Sequence, residues 1–294
     1  MMILLLDAGN TRLKWATIES NANPLSQSPP ELSNQGSVNY QWSSLAGQLD
    51  NALKQISDSP ASLSQILLSN VAGPRLESAL EIWLKGYLRS RRADTQSRAS
   101  TISSSTLLDD KSQVKENAGL TIDKVTAQTT AFGVANAYDE PSQLGADRWA
   151  ALVAARHFCA GPACIIDSGT ALTVDLISKE GQHAGGLILP GITLMTAALV
   201  ENTDAIQAGK QGQLTVFEVH STEDAVKAGV HAAILGAITH VLAEAREKWG
   251  VEPQCVVTGG NAGSLKTGLP ESSRHDPDWV LKGLAVIAGI NRQG

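Results

Sequence analysis

Two short segments far apart in the chain, Asp7-Ala8-Gly9-Asn10-Thr11 and Asp167-Ser168-Gly169-Thr170-Ala171, repeat one chemical pattern. Each offers a carboxylate, then a glycine, then hydroxyl or amide side chains. That order suits a phosphate. Glycine permits a tight turn and lets backbone N–H groups approach phosphate oxygens, while Thr and Asn add donors. An Asp at a strand end can hold a cation, directly or through its water shell. The elements that must position these turns are the apolar runs Met2-Ile3-Leu4-Leu5-Leu6 and Ala163-Cys164-Ile165-Ile166, too short for helices and right for buried strands. Two copies, each closing a strand, point to a duplicated nucleotide-binding fold with ATP held between the halves.

The rest of the chain supplies elements to match. Residues 11–18 roughly alternate polar and apolar, which predicts a hairpin after the first turn. Residues 20–37, rich in Ser, Asn, Gln and Pro, read as an exposed loop. Leu45, Leu49, Leu53 and Ile56 have helical spacing, residues 65–71 form a buried strand, and 75–88 return to helix. The polar stretch 89–115 carries four arginines but no interleaved aromatics, so it reads as a solvated helix end and loop. In the second half, a helix over 149–158 follows Gly145-Ala146-Asp147-Arg148, and strands at 163–166 and 172–177 flank the second turn. A strand at 185–191, a helix from Leu194, a long amphipathic helix from Thr222, a strand at 255–258 and a helix over 279–290 complete the pattern. This alternation predicts an α/β fold with a mixed sheet per domain, the domains spanning 1–125 and 126–294.

Composition narrows the function classes. With 294 residues, 43% hydrophobic and 18% charged, the chain is an ordinary globular protein long enough for two cores. A net charge of −6 argues against a nucleic-acid surface as its main business. The N-terminal apolar run has no charged leader and stops at Asp7, so it reads as a first strand and not a signal peptide. No run of roughly 18 to 20 uninterrupted apolar residues is evident, so no membrane span is expected. Cys159, Cys164 and Cys255 lack C-x-x-C spacing and read as reduced core thiols of a cytoplasmic protein. His231 and His240 form no zinc motif and no G-x-S-x-G elbow occurs; His183, just before the Gly pair at a loop end, could approach a ligand but is expected at the surface or in a loop.

Several polar residues carry two readings each. Asp147 and Arg148, side by side before a helix, could be a structural pair, a helix cap or reactive groups. Tyr138, nine residues earlier, could be a partly buried core aromatic or a ligand contact. Thr222 looks like a helix N-cap, with Glu223 and Asp224 suited to the first turn. Asp167 could simply accept from turn amides, and Lys14 could meet a phosphate or face solvent.

Four blocks together resemble the type III pantothenate kinases, some labelled Bvg accessory factors, within the acetate-kinase, sugar-kinase, Hsp70 and actin superfamily. They are Asp7 to Lys14; Tyr138 to Trp149; Asp167 to Asp175 with Gly185 to Gly191; and Thr258 to Asn261. The resemblance implies two ribonuclease-H-like (actin-like ATPase) domains and ATP-dependent phosphorylation of pantothenate to 4′-phosphopantothenate, the first step of coenzyme A biosynthesis. It makes Asp147 the catalytic base, and Tyr138, Gly145, Ala146, Asp147, Arg148 and Thr222 pantothenate contacts. Whether Arg148 meets the pantothenate carboxylate or a phosphate stays open. It gives ATP to Asp7, Ala8, Gly9, Asn10, Thr11, Arg12, Leu13, Lys14 and Thr170, with Mg²⁺ on the Asp7 side. Asp167 would take a monovalent cation, K⁺ or NH₄⁺, and Gly259 and Gly260 would let backbone pack against adenosine. It also implies a homodimer, and the strongly apolar helices of the second half suggest that its contact lies there. Rival readings are another small-molecule kinase of the superfamily and a non-catalytic regulator that keeps the fold.

Overall fold

The computed structural model of the chain describes residues 2–19, 31–45, 47–51, 63–83, 85–86, 121–201 and 216–290. Residues 20–30 of the predicted loop and all of the arginine-bearing stretch 89–115 lie outside these. The chain divides into two units, one ending at Val125 and the other beginning at Thr126.

The first unit is a five-stranded sheet in the order β3-β2-β1-β4-β5. Its strands are β1 (Met2–Ala8), β2 (Arg12–Glu19), β3 (Ser33–Asn39), β4 (Leu63–Asn70) and β5 (Thr121–Lys124). β1 is central and every residue in it is buried. Period-two geometry sends Leu4, Leu6 and Ala8 to one face with Leu13 and Trp15 of β2. There they meet Leu49 of a helical segment at 47–51 (α1) and Leu76 and Leu80 of a second helix over 74–83 (α2). The polar stretch from Ser33, expected as loop, is the edge strand β3. An edge strand bonds on one side and can face water with the rest, so its polar side chains are no obstacle. Gly36 makes room for the Trp15 ring, since a Cβ there would fall 2.1 Å from it.

The second unit repeats the plan as β10-β9-β8-β11-β12. Its strands are β8 (Ala163–Ser168), β9 (Ala171–Ile177), β10 (His183–Pro190), β11 (Gln254–Thr258) and β12 (Arg274–His275), with a small hairpin of β6 (Thr130–Ala131) and β7 (Val134–Ala135) beforehand. In both sheets the first three strands run antiparallel in sequence and the fourth pairs parallel with the first. The short strands β5, β6, β7 and β12 carry too few residues to show a period.

Four helices clothe this sheet: α3 (Ala146–Phe158), α4 (Ile192–Glu201), α5 (Thr222–Trp249) and α6 (Trp279–Ile290). α3 starts earlier than expected, at Ala146, which places Asp147 and Arg148 inside its first turn. α3 and α6 pack closely. A Cβ on Gly283 would fall 1.9 Å from the Ala150 carbonyl oxygen, and the Trp279 indole donates to the Ala151 carbonyl at 3.1 Å. Two of the three apolar helices expected at a subunit contact therefore cover each other within one chain. Against the other sheet face, α5 lays Val230, Ile234, Ile238, Val241 and Leu242 onto Cys164, Ile166, Leu172 and Val174. Its N-cap is Ser221 and not Thr222: the Ser221 hydroxyl accepts from the Asp224 amide at 3.1 Å. Contrary to expectation, α5 is long and apolar enough to cross a membrane, with a mean hydropathy of 1.5 over its most apolar window. Its stripe of core contacts accounts for part of that composition, since 33% of that window is buried. Cys159, Cys164 and Cys255 are free thiols, and burial pushes Cys159 up to about 11.

Candidate active site

The second unit gathers its polar side chains around the first turn of α3. Gly145 caps the helix, and its carbonyl accepts from the Trp149 amide at 2.9 Å. Two residues on, Asp147 is half-buried and accepts from the Arg148 amide at 2.7 Å. Burial raises its pKa above the ordinary carboxylate value, outweighing that bond and the attraction of Arg148. Asp147 is thus a carboxylate in a desolvating site, with a basicity above the ordinary.

Arg148 does not pair with its neighbour's carboxylate through its guanidinium. It runs to Asp175 of β9, donating from Nε to Oδ2 at 2.8 Å and from Nη2 to Oδ1 at 2.6 Å. This is the side-on fork that suits a carboxylate, and both partners are almost fully buried. Burial alone would lower the Arg148 pKa, but the Asp175 bonds more than offset it and keep the guanidinium charged. Arg148 Nη1 donates to the Tyr138 hydroxyl at 2.8 Å. Tyr138 sits on a loop organised by Asn136, whose side chain accepts from the Tyr138 amide at 3.1 Å and donates to the Pro141 carbonyl at 3.3 Å. His183, expected at the surface, is instead buried at the start of β10 with its Nε2 3.1 Å from Asp175 Oδ1. Asp175, at the end of the third block, received no role from the sequence, and His183 was weighed there only as a residue that could approach a ligand. Asp175 faces Gly186 in register, and a Cβ on Gly186 would fall 2.6 Å from the Asp175 carboxylate and 3.0 Å from Arg148 Nη2.

Thr222 opens α5 and lines a groove of about 370 Å³ between α4 and α5, with Met195, Leu199, Ala225 and Val226.

The two strand-end turns have matching construction. In the first unit, the Gly9 amide donates to the Arg12 carbonyl at 3.0 Å, closing the turn, and the Tyr40 hydroxyl clamps the Gly9 carbonyl at 2.6 Å. Asn10 and Thr11 are exposed at its tip, while Arg12 donates to Asn39 Oδ1 at 2.8 Å. Asp7 is buried, faces Lys14 across the β1–β2 register and pairs in register with Ser69 of β4. Ala8 and Leu13 bury their side chains in the core, so only their backbone is available to a ligand. In the second unit, the Gly169 amide donates to the Ala171 carbonyl at 3.0 Å, leaving Thr170 exposed. Asp167 pairs in register with Thr258 of β11, and Gly259 (φ 93°) follows directly, where a Cβ would fall 2.4 Å from Asp167 Oδ1. In both turns the hydroxyl of the register partner, Ser69 or Thr258, is buried and has no hydrogen-bond partner among the described residues. Asp7, Thr11, Lys14, Asp167 and Thr170 all have partners of their own.

Comparison with known proteins follows this geometry. The family model described as type III pantothenate kinase matches residues 74–244. A type III pantothenate kinase from Azoarcus sp. (strain BH72) is 34% identical over 294 residues, covering 99% of this chain and 92% of its own. One from Nitrosococcus oceani is 29% identical over 292 residues, 98% of this chain and 94% of its own. Among solved structures, a conserved Baf family transcriptional activator (so described) from Campylobacter jejuni aligns with a TM-score of 0.53 at 17% identity, over 99% of this chain and all of its own. An activator of 2-hydroxyisocaproyl-CoA dehydratase from Clostridium difficile, solved with ADPNP, aligns at 0.52 and 10% identity, over 100% of this chain and 96% of its own. At such identities these two speak for the fold, the actin-like ATPase one.

Proposed function

The chain belongs to the type III pantothenate kinase family, and on that footing we propose which of its groups carry the reaction. The activity is ATP-dependent phosphorylation of pantothenate to 4′-phosphopantothenate in coenzyme A biosynthesis. Asp147 is the base on the acceptor side. An alcohol is far less acidic than a carboxylic acid, so Asp147 does not strip its proton in advance. It orients the primary hydroxyl and takes the proton late, as the loose phosphoryl transition state moves across. Its raised basicity favours that late transfer.

Tyr138, Gly145, Ala146 and Arg148 bind the acceptor beside it. The observation that carries this reading is the pre-set Arg148: its side-on edge is taken by Asp175, so its other edge is held in one direction. The segment Asp7 to Lys14 and Thr170 are assigned to ATP phosphates, Ala8 and Leu13 through backbone only. The donors beside the two strand-end carboxylates suit hard cations. Asp7 with the orphan Ser69 hydroxyl is all-oxygen and would hold Mg²⁺ through its water shell, while Asp167 with Thr258 would hold K⁺ or NH₄⁺. Bound there, such cations would supply charge neutralisation for the phosphates. Two domains, 1–125 and 126–294, a cytoplasmic location and a homodimer using the second half complete the reading. Leu187, Ile188, Leu194, Leu199 and Phe217 support the last, all large apolar residues left exposed in that half.

A coupled assay with pantothenate, ATP and Mg²⁺ tests the reading. Turnover is expected in potassium or ammonium and should be low in sodium alone. Equal rates in the three salts, with Asp167→Ala also equal, would remove the monovalent cation; no turnover in any would remove the kinase.

A further inference from the structure

His183 takes no part in the reading above, yet its ring is bonded to both the Tyr138 loop and Asp175. It is 1% exposed and both ring nitrogens are engaged. The Ala137 amide points at Nδ1 from 3.4 Å, so Nδ1 is the acceptor and the ring proton lies on Nε2. Nε2 therefore donates to Asp175 Oδ1, the same oxygen that accepts from Arg148 Nη2. The ring also stacks on Tyr138, with centroids 5.9 Å apart and planes at 22°. One imidazole thus grips the loop that presents Tyr138 and the carboxylate that orients Arg148.

The direction of each bond follows in series. His183 donates to Asp175, Arg148 donates to Asp175 through its side-on edge, and Arg148 Nη1 donates to the Tyr138 oxygen. Since that oxygen accepts from a group that cannot give up its proton, the phenolic proton is turned away from the guanidinium. We propose that His183 and Asp175 are positioning residues for acceptor recognition: they lock Arg148 in one rotamer and fix the Tyr138 hydroxyl as an outward donor. The acceptor group they prepare for is an oxygen-rich one, a carboxylate, carbonyl or hydroxyl, that takes N–H from Arg148 and O–H from Tyr138. This rests on the kinase reading of the site and adds two residues that touch no substrate.

The test separates donor loss from general damage. His183→Phe keeps a stacking ring and removes both hydrogen bonds. It should raise KM for pantothenate about tenfold or more while KM for ATP stays within about twofold. His183→Gln, which returns an N–H donor near the Nε2 position, should recover most of that loss. His183→Asn, which mimics Nδ1 only, should not. If the Phe variant fails to fold, the Gln and Asn pair still decides. Added to Tyr138→Phe, His183→Phe should cost less than it does alone, because the group it positions is already gone. An unchanged pantothenate KM, both KM values rising together, or Gln and Asn behaving alike would each overturn the proposal. A parent protein that phosphorylates no pantothenate would overturn this inference and the kinase reading together, whereas an active parent with indifferent His183 variants would overturn this one alone.

Discussion

Asp147 and Arg148 are neighbours in sequence with separate partners, and that separation defines their chemistry. Were Arg148 bonded to Asp147 through its guanidinium, it would hold the carboxylate ionised and weakly basic. It is committed to Asp175 instead, and burial governs Asp147. Asp147→Asn keeps the shape but cannot accept a proton, so kcat should fall by about 10²–10⁴ with thermal stability little changed. A near-normal kcat would make Asp147 structural. The sign of the pH effect follows from burial: a raised pKa means that acidification protonates Asp147 sooner than an ordinary aspartate. The acid limb of the kcat profile should therefore lie above the ordinary aspartate value and be absent from whatever rate Asp147→Asn retains. A limb at the ordinary position would contradict the desolvated environment. At this scale a motif could name Asp147 and Tyr138 as candidates, and the structure brings Tyr138 and the neighbouring Arg148 together. The bonds that Asp175 and His183 make could not be read, because they depend on which side chains a sheet face and a helix N-terminus bring together.

Among elements, α3 matters most on the proposed reading, because its first turn holds Asp147 and Arg148 and its body must hold that turn still. Its rigidity comes from small residues that let α6 approach backbone to backbone at Ala150 and Gly283. Gly283→Leu would place side-chain atoms where the Ala150 carbonyl lies, so the helices must part. We expect a loss of about 3 kcal/mol, read by denaturant unfolding, and a rise in pantothenate KM as Asp147 and Arg148 move. Wild-type stability in that variant would show that the two helices are not in backbone contact at this point. The long strands and helices were readable from apolar content, β1 and β8 as short continuous runs and α5 from its helical period. The starts of helices were less so: the α3 start was placed late, and the α5 cap one residue beyond Ser221. Backbone hydrogen bonds at those ends, not apolar spacing, decide the boundary. β3 was missed because an edge strand of polar residues shows no hydrophobic alternation.

At the scale of the molecule, the duplicated plan was visible in two strand-end motifs, and the identical sheet orders bear it out. The subunit contact was argued from three apolar helices, of which α3 and α6 now cover each other. What remains for a partner is the exposed apolar surface of β10, α4 and Phe217, together with the groove beside Thr222. Light scattering should give twice the chain's 30.9 kDa at micromolar concentration. A fully active particle of single-chain mass would exclude the homodimer.

The two repeats do not keep their last helices to themselves. In chain order α3 follows β5 as α6 follows β12, yet α3 packs with α6 inside the unit that begins at Thr126. The equivalent positions have diverged: where α3 has Asp147-Arg148 at its second and third residues, α6 has Val280-Leu281. A half-length ancestor with one such helix could have paired it across a twofold with a second copy, each helix bearing the same side chains. Fusion into one chain would free the two helices to differ. On the proposed reading α3 then carries the acceptor groups and α6 supports it, so a change of acceptor would be written in α3 and not in the strand-end turns.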